Sequence, residues 1–145
     1  MALFYIADYI VFMNSAICWL VLTILATAVM WVPYVLNSFM VRGVMPTMGY
    51  DENLPALSPW AERAKRAHYN AIENLVLFVP AVLIYSALSP DTEAIATLAL
   101  VYFVSRIVHY VAYTFKVPLL RTLSFFGGLV PTVLILIKAL SLPYA

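Results

Sequence analysis

One stretch near the start of the chain limits its fold more than any other. No residue from Tyr9 to Val41 is charged. The hydrocarbon core of a bilayer is about 30 Å thick and takes about 20 helical residues, so this stretch is long enough to span it. A cleaved signal peptide is also apolar, but no positive charge precedes this run, which is too long for one. We therefore expect a membrane-spanning helix here, kinked near Pro33.

The composition extends this expectation to the whole chain. Hydrophobic residues make up 65% of it and charged residues 10%, against about 45–50% and 25% in soluble domains. The apolar excess must face lipid, because a chain of 145 residues has only one modest core to fill. A net charge of +1 without a basic stripe argues against a nucleic-acid partner. No histidine or acid pair stands at metal-ligand spacing, so no metal site is predicted.

The apolar stretches and the prolines between them predict an all-α fold, an integral membrane four-helix bundle that forms a single domain over residues 1–145. The spans are expected at about 14–38, 66–88, 94–115 and 119–142. Residues 42–61, rich in prolines, glycines and acids, are predicted to form a surface loop. Ser58 before Pro59 is typical of a helix start, with Ser58 as the N-cap.

The charges of the connections predict an orientation. Most basic residues flank the first and third connections: Arg42, Arg63, Lys65, Arg66, Lys116 and Arg121. The second connection holds Asp91 and Glu93 and no basic residue. By the positive-inside rule the first and third connections are cytoplasmic, and both termini lie on the non-cytoplasmic side.

Polar residues inside the predicted spans mark a candidate site, because charge within a membrane is costly and usually functional. Two sets follow helical spacing, so each shares one face of its helix. They are Arg66, Asn70 and Glu73 in the second span, and Arg106, His109 and Tyr113 in the third. Arg121 and Thr122 open the fourth span at a similar level. This pattern predicts a cluster suited to a ligand with carboxylates and an amine.

The spacing alone leaves a purely structural interpretation open. Arg106 and Glu73 could neutralise each other within the bundle without any ligand. His109 could be a satisfied interior histidine, and Tyr113 an interfacial aromatic residue.

Three motifs resemble those of a known family. The segment from Glu62 to Asn74 is similar to the E-R-x-x-R-A-H-x-N-x-x-E signature of the MAPEG family, the membrane-associated proteins in eicosanoid and glutathione metabolism. The segment from Arg106 to Tyr113 resembles that family's R-x-x-H-x-x-A-Y element, and Arg121-Thr122 occupies its R-S position. The resemblance runs from about residue 60 to 126. It implies a homotrimer of four-helix bundles with glutathione between subunits, near the cytoplasmic face.

The resemblance also implies roles for the polar residues. Those expected to bind glutathione, the co-substrate, are Arg66, Asn70, Glu73, His109, Tyr113 and Arg121. Arg121 and Thr122 are the expected catalytic residues, which would stabilise the glutathione thiolate. The implied function is a membrane-bound glutathione-dependent transferase or peroxidase, whose small hydrophobic electrophiles arrive through the lipid bilayer.

Departures from the family pattern support an alternative. Tyr69 stands where many members carry an arginine that binds a glutathione carboxylate. No arginine lies near Asn37 and Ser38 in the first span, where one branch supplies another ligand, and Arg42 is about one turn further on. Phe125 and Phe126 stand near an aromatic position that carries a tyrosine hydroxyl in some branches. The alternative is a non-catalytic scaffold or accessory subunit of a larger membrane complex. The segment from Trp31 to Leu36 is more similar to bacterial members, which implies a bacterial inner membrane and no eicosanoid synthesis.

Overall fold

The computed structural model describes residues 15–89 and 93–142, so the expectations for Asp91 and for residue 14 fall outside it. Within these ranges the chain forms six helices: α1 (Ala16–Val29), α2 (Val32–Arg42), α3 (Val44–Met48), α4 (Pro59–Leu88), α5 (Glu93–Thr114) and α6 (Pro118–Leu140). Four stretches are long and apolar enough to cross a membrane: α1 with α2, then α4, α5 and α6. The expectation of an all-helical, four-span integral membrane protein is confirmed.

The first spanning stretch is broken at Met30 and Trp31, between α1 and α2. Pro33 has no amide hydrogen to donate to the preceding turn, which explains a break at this point. Side chains from other helices support it, because the Tyr110 hydroxyl donates to the Met30 carbonyl at 2.9 Å. The Tyr34 hydroxyl lies 3.0 Å from His68 Nδ1. The break is therefore tied to both α4 and α5.

The first connection is more ordered than its composition indicates. Residues 44–48 form the short helix α3 where the proline and glycine content predicted only loop, and Gly43, at φ 84°, turns the chain between α2 and α3. Asn37 Nδ2 donates to Ser58 Oγ at 2.9 Å, and the Ser58 amide donates to Asn37 Oδ1 at 3.0 Å. Ser58 stands at the N-cap of α4 as expected, but its side chain does not cap the helix. It binds α2 instead.

Helix α4 begins at Pro59, where Ser58-Pro59 predicted a helix start, and it therefore extends well before the membrane span expected from residue 66. Its first turns carry charged residues, so the apolar pattern detects only the part of the helix that lipid would surround. With 30 residues at about 1.5 Å each, α4 is about 45 Å long.

Helices α5 and α6 pack closely because α6 has glycine at the contact. A Cβ at Gly127 would lie 2.5 Å from Ser105 Oγ, and one at Gly128 would lie 2.5 Å from Arg106 Nη2. The core beside this contact contains Phe78 stacked on Tyr102, with ring centroids 3.6 Å apart. The close approach leaves room for the Arg106 side chain between the helices and no room for a methyl group at Gly128.

The start of α4, the end of α5 and the start of α6 meet at one end of the bundle, which we call the basic end. Its cations are Arg63, Lys65, Arg66, Lys116 and Arg121. Arg63 Nε donates to the Thr114 carbonyl at 2.8 Å, which joins the start of α4 to the end of α5.

Candidate functional site

Arg106 is the deepest charged residue of the predicted cluster, with 2% of its surface exposed. Its Nη2 donates to the carbonyls of Ser124 and Phe125 in α6, at 2.9 and 3.1 Å. Its Nη1 lies 3.4 Å from Asn70 Oδ1 in α4. Within residues 15–89 and 93–142 its partners are an amide and carbonyls, so the pairing with Glu73 that the spacing left open is not formed. A full positive charge thus lies inside the bundle without a carboxylate.

His109 lies next to Arg106 on α5, and its Nδ1 is 3.0 Å from the Arg121 carbonyl. A carbonyl only accepts hydrogen bonds, so Nδ1 carries the hydrogen and donates. In the neutral ring this leaves Nε2 as an acceptor. His109 is 5% exposed, and Nε2 has no hydrogen-bond partner in the described part of the chain. Buried polar atoms in proteins are nearly always paired, so a free acceptor here indicates a place for a donor from a ligand.

Arg121 lies at the start of α6 with its guanidinium over the Tyr113 ring, 5.3 Å from the centroid. This cation–π contact orients the guanidinium while its N–H groups remain available to an anion. The neighbouring Thr122 hydroxyl donates to the Pro118 carbonyl at 3.1 Å. A hydroxyl has one hydrogen to donate, so Thr122 must rotate away from Pro118 before it can donate to a ligand.

A cleft of about 470 Å³ opens over these residues. Its size falls within the range of small-molecule sites, about 300–1,000 Å³. It is lined by Asn70, His109, Tyr113, Arg121, Thr122, Phe125 and Phe126. The structure thus brings together predicted residues from α4, α5 and α6, with Arg106 beneath them.

Two predicted residues lie elsewhere. Arg66 and Glu73 are exposed on the outer surface of α4 and do not line the cleft. Tyr69 lies on the same surface, 51% exposed, with the Lys65 ammonium 5.8 Å from its ring centroid. Arg42 does not reach the cleft either, since its Nε donates to the Pro55 carbonyl at 2.6 Å.

Sequence reasoning missed the groups that hold Arg106. These are backbone carbonyls of α6, made reachable by the glycines at 127 and 128. Two adjacent glycines inside an apolar helix are a signal of close helix approach and could have indicated it. Among the residues that the structure describes, no group of three or more His, Cys, Asp or Glu could hold a metal ion.

This fold and this cleft define a polytopic membrane protein with a ligand-sized polar site near one end of its helix bundle. The model of the MAPEG family matches residues 15–141. The chain belongs to the MAPEG family, which confirms the resemblance of its motifs.

Curated relatives include microsomal glutathione S-transferase 1 of Homo sapiens, Rattus norvegicus and Mus musculus. Each is 38% identical to the chain over 68 residues, which are 46% of this chain and 44% of the relative. The match therefore spans less than half the length of these relatives. No solved structure matches the chain.

Proposed function

We propose that this protein is a glutathione-dependent membrane enzyme, a transferase or peroxidase that acts on hydrophobic electrophiles dissolved in the bilayer. The observation that carries the proposal is the cleft that brings Asn70, His109, Tyr113 and Arg121 together. Among the described residues the buried Nε2 of His109 has no hydrogen-bond partner. Glutathione offers what such a cleft needs: amide N–H donors, carboxylates for a guanidinium, and a thiol. Family membership and the names of the relatives support the same choice.

In this proposal Asn70, His109 and Tyr113 bind the tripeptide by hydrogen bonds, and Arg121 supplies positive charge to the thiol. A cation beside a thiol favours the thiolate, which is the nucleophile. Thr122 would turn its hydroxyl from Pro118 toward the sulfur and add one hydrogen bond. The buried charge of Arg106 beneath the cleft acts in the same direction, because it lies in a medium of low dielectric constant.

The thiolate then attacks the electrophile. In a transfer reaction a carbon–sulfur bond forms and the leaving group departs with its electron pair. In a peroxidase reaction the sulfur bonds to one peroxide oxygen as the oxygen–oxygen bond breaks, and the other oxygen leaves as an alcohol after taking up a proton. The sulfenic acid formed then condenses with the thiol of a second glutathione to give the disulfide and water. Phe125 and Phe126 give the cleft an apolar wall against which a lipid-soluble substrate can pack.

The exposed charges of α4 support a contact with another subunit, and the family resemblance implies that the assembly is a homotrimer. Glu73 lies 14 residues beyond Pro59, about 21 Å along the helix, and is exposed in the single chain. A carboxylate facing acyl chains at that depth is costly, whereas facing another subunit it is not. Arg66 and Glu73 would then bind the glutathione held in the cleft of a neighbouring copy. We place the trimer in a bacterial inner membrane, with the basic end cytoplasmic and both termini outside.

The second candidate is a non-catalytic scaffold or accessory subunit of a larger membrane complex. Two observations favour it: Tyr69 cannot form a charged fork with a carboxylate, and Arg42, whose Nε donates to the Pro55 carbonyl, does not line the cleft.

Glutathione binding to the purified protein separates the two candidates. His109→Phe removes the free acceptor, and losing one hydrogen bond should weaken binding roughly 2- to 12-fold. The other histidine is the matched control, because His68 contacts Tyr34 and does not line the cleft. His68→Phe should leave the affinity for glutathione unchanged. If the wild-type protein binds no glutathione at millimolar concentrations, the enzyme proposal fails and the scaffold takes its place.

A further inference from the structure

A second cleft lies at the basic end, beyond the pair formed by Tyr113 and Arg121. Its volume is about 300 Å³. It is lined by Arg63, Tyr113, Lys116, Val117, Pro118 and Arg121. It has the Tyr113–Arg121 pair in common with the first cleft, while Arg63 and the residues of the α5–α6 connection belong to it alone.

The charge of this second cleft is of one sign. Arg63 comes from α4, Lys116 from the α5–α6 connection and Arg121 from α6. The contacts of the two arginines in the described part of the chain are with the Thr114 carbonyl and the Tyr113 ring, and no Asp or Glu neutralises them there. Cations held together without an acid repel one another unless an anion joins them.

The backbone adds to this positive character. Helix α6 begins at Pro118, and no side chain caps its first turn. The positive end of the α6 dipole therefore lies beside Val117 and Pro118, although neither residue offers a free N–H, because the Val117 amide donates to the Ala112 carbonyl at 2.8 Å and proline has no amide hydrogen. Lys116 has φ 63°, a conformation that residues other than glycine and asparagine seldom adopt. This turn places a cation at the mouth of the cleft.

The level of the cleft in the bilayer indicates which anion it takes. Lys116 and Val117 connect the spanning helices that end at Thr114 and begin at Pro118, so they lie where the acyl region meets the headgroups. The side chains of Val117, Pro118 and Tyr113 add apolar surface to the three cations. A ligand whose charged group is joined directly to an apolar body fits such a site. Basic pockets between membrane helices, at the boundary of acyl chains and headgroups, bind lipid headgroups.

We propose that this second cleft binds the phosphate of an anionic phospholipid from the surrounding leaflet. The phosphate lies among Arg63, Lys116 and Arg121, and the glycerol end of the lipid packs on Val117 and Pro118. The proposal does not require glutathione binding. Arg121 is common to both proposals, so the test uses Lys116 and Arg63, which line the second cleft and not the first.

The test measures lipid binding to the purified full-length protein by native mass spectrometry, with phosphatidylglycerol compared against zwitterionic phosphatidylcholine. Lys116→Asn removes the charge and keeps a residue that tolerates positive φ. Losing one charge-assisted hydrogen bond should weaken phosphatidylglycerol binding about 10-fold or more and leave phosphatidylcholine binding unchanged. Arg63→Lys keeps the charge and should retain most of the binding.

The matched control is Lys138→Gln, because Lys138 is an exposed cation in the last turn of α6, far from the second cleft. It should leave the lipid preference unchanged. Equal binding of the two lipids, or equal losses in Lys116→Asn and Lys138→Gln, would overturn the proposal. A further arm adds inorganic phosphate and glycerol phosphate. If either displaces the lipid at millimolar concentration, the cleft is a site for a soluble phosphate and the lipid assignment is wrong.

Discussion

Replacing Gly128 with alanine tests how Arg106 is held. The added methyl group would lie 2.5, 2.6 and 2.7 Å from guanidinium atoms of Arg106. The guanidinium cannot move aside freely, because it donates to the carbonyls of Ser124 and Phe125. Overpacking of this kind costs about 1–3 kcal/mol. For a chain of this size that corresponds to a fall of about 2–12 °C in the melting temperature.

The assay is thermal unfolding in detergent, followed by circular dichroism. Gly49→Ala is the matched control, since a Cβ there would meet only backbone oxygens at 3.4 and 3.6 Å and should change the melting temperature little. The double variant Gly128→Ala with Arg106→Met should unfold at a higher temperature than the sum of the single changes indicates, because the clash is removed. Additive effects in this cycle would refute the reasoning.

Three further predictions concern the site and the topology. Arg121→Gln should lower the thiolate-dependent step roughly 10- to 150-fold, the value of a charge-assisted hydrogen bond of about 1.5–3 kcal/mol. The rate of this step is followed by thiolate absorbance in stopped flow. Arg121→Lys, which keeps the positive charge, should reduce the rate less than Arg121→Gln does. Tyr69→Arg should tighten glutathione binding in titration calorimetry by supplying a carboxylate fork; unchanged affinity would contradict this. Single cysteines at Asp51 and Asp91, with Cys18 replaced by serine, should be labelled from opposite faces of the membrane, and labelling of both from one face would contradict the predicted topology.

The lengths of the apolar stretches predicted four spanning helices, and helical periodicity predicted part of the lining of the cleft. Residues three and four apart lie on one helix face, so His109 and Tyr113 had to lie together on α5. Arg121 comes just after the turn at Pro118, and this position predicted that it lies near the same end of the bundle as Tyr113. These are local properties, and a single chain without an alignment is enough to predict them.

The sequence could not predict which neighbouring helix, lipid or cleft each helix face contacts in the folded protein. Arg66 and Glu73 fall on the helical spacing of Asn70, yet they lie on the outer surface of α4 and Asn70 lines the cleft. Periodicity fixes the angle between side chains and does not say which neighbour each one faces. Besides Asn70, the partners of Arg106 are backbone carbonyls of α6, whose only signal in the sequence is the pair of adjacent glycines that lets α5 and α6 approach. Ser58 likewise has the identity of an N-cap but binds Asn37, a tertiary contact that outweighs the local preference.

The length of α4 has a consequence for the membrane in which the protein works. At about 45 Å the helix exceeds a hydrocarbon core of about 30 Å, so it must tilt or project beyond the lipid. Its polar first turns make the basic end the part that projects. A thicker bilayer would reduce the tilt and bring lipid closer to the mouths of both clefts. Access of a water-soluble ligand to the cleft over His109 therefore depends on bilayer thickness, and reconstitution into lipids of increasing chain length should slow its entry.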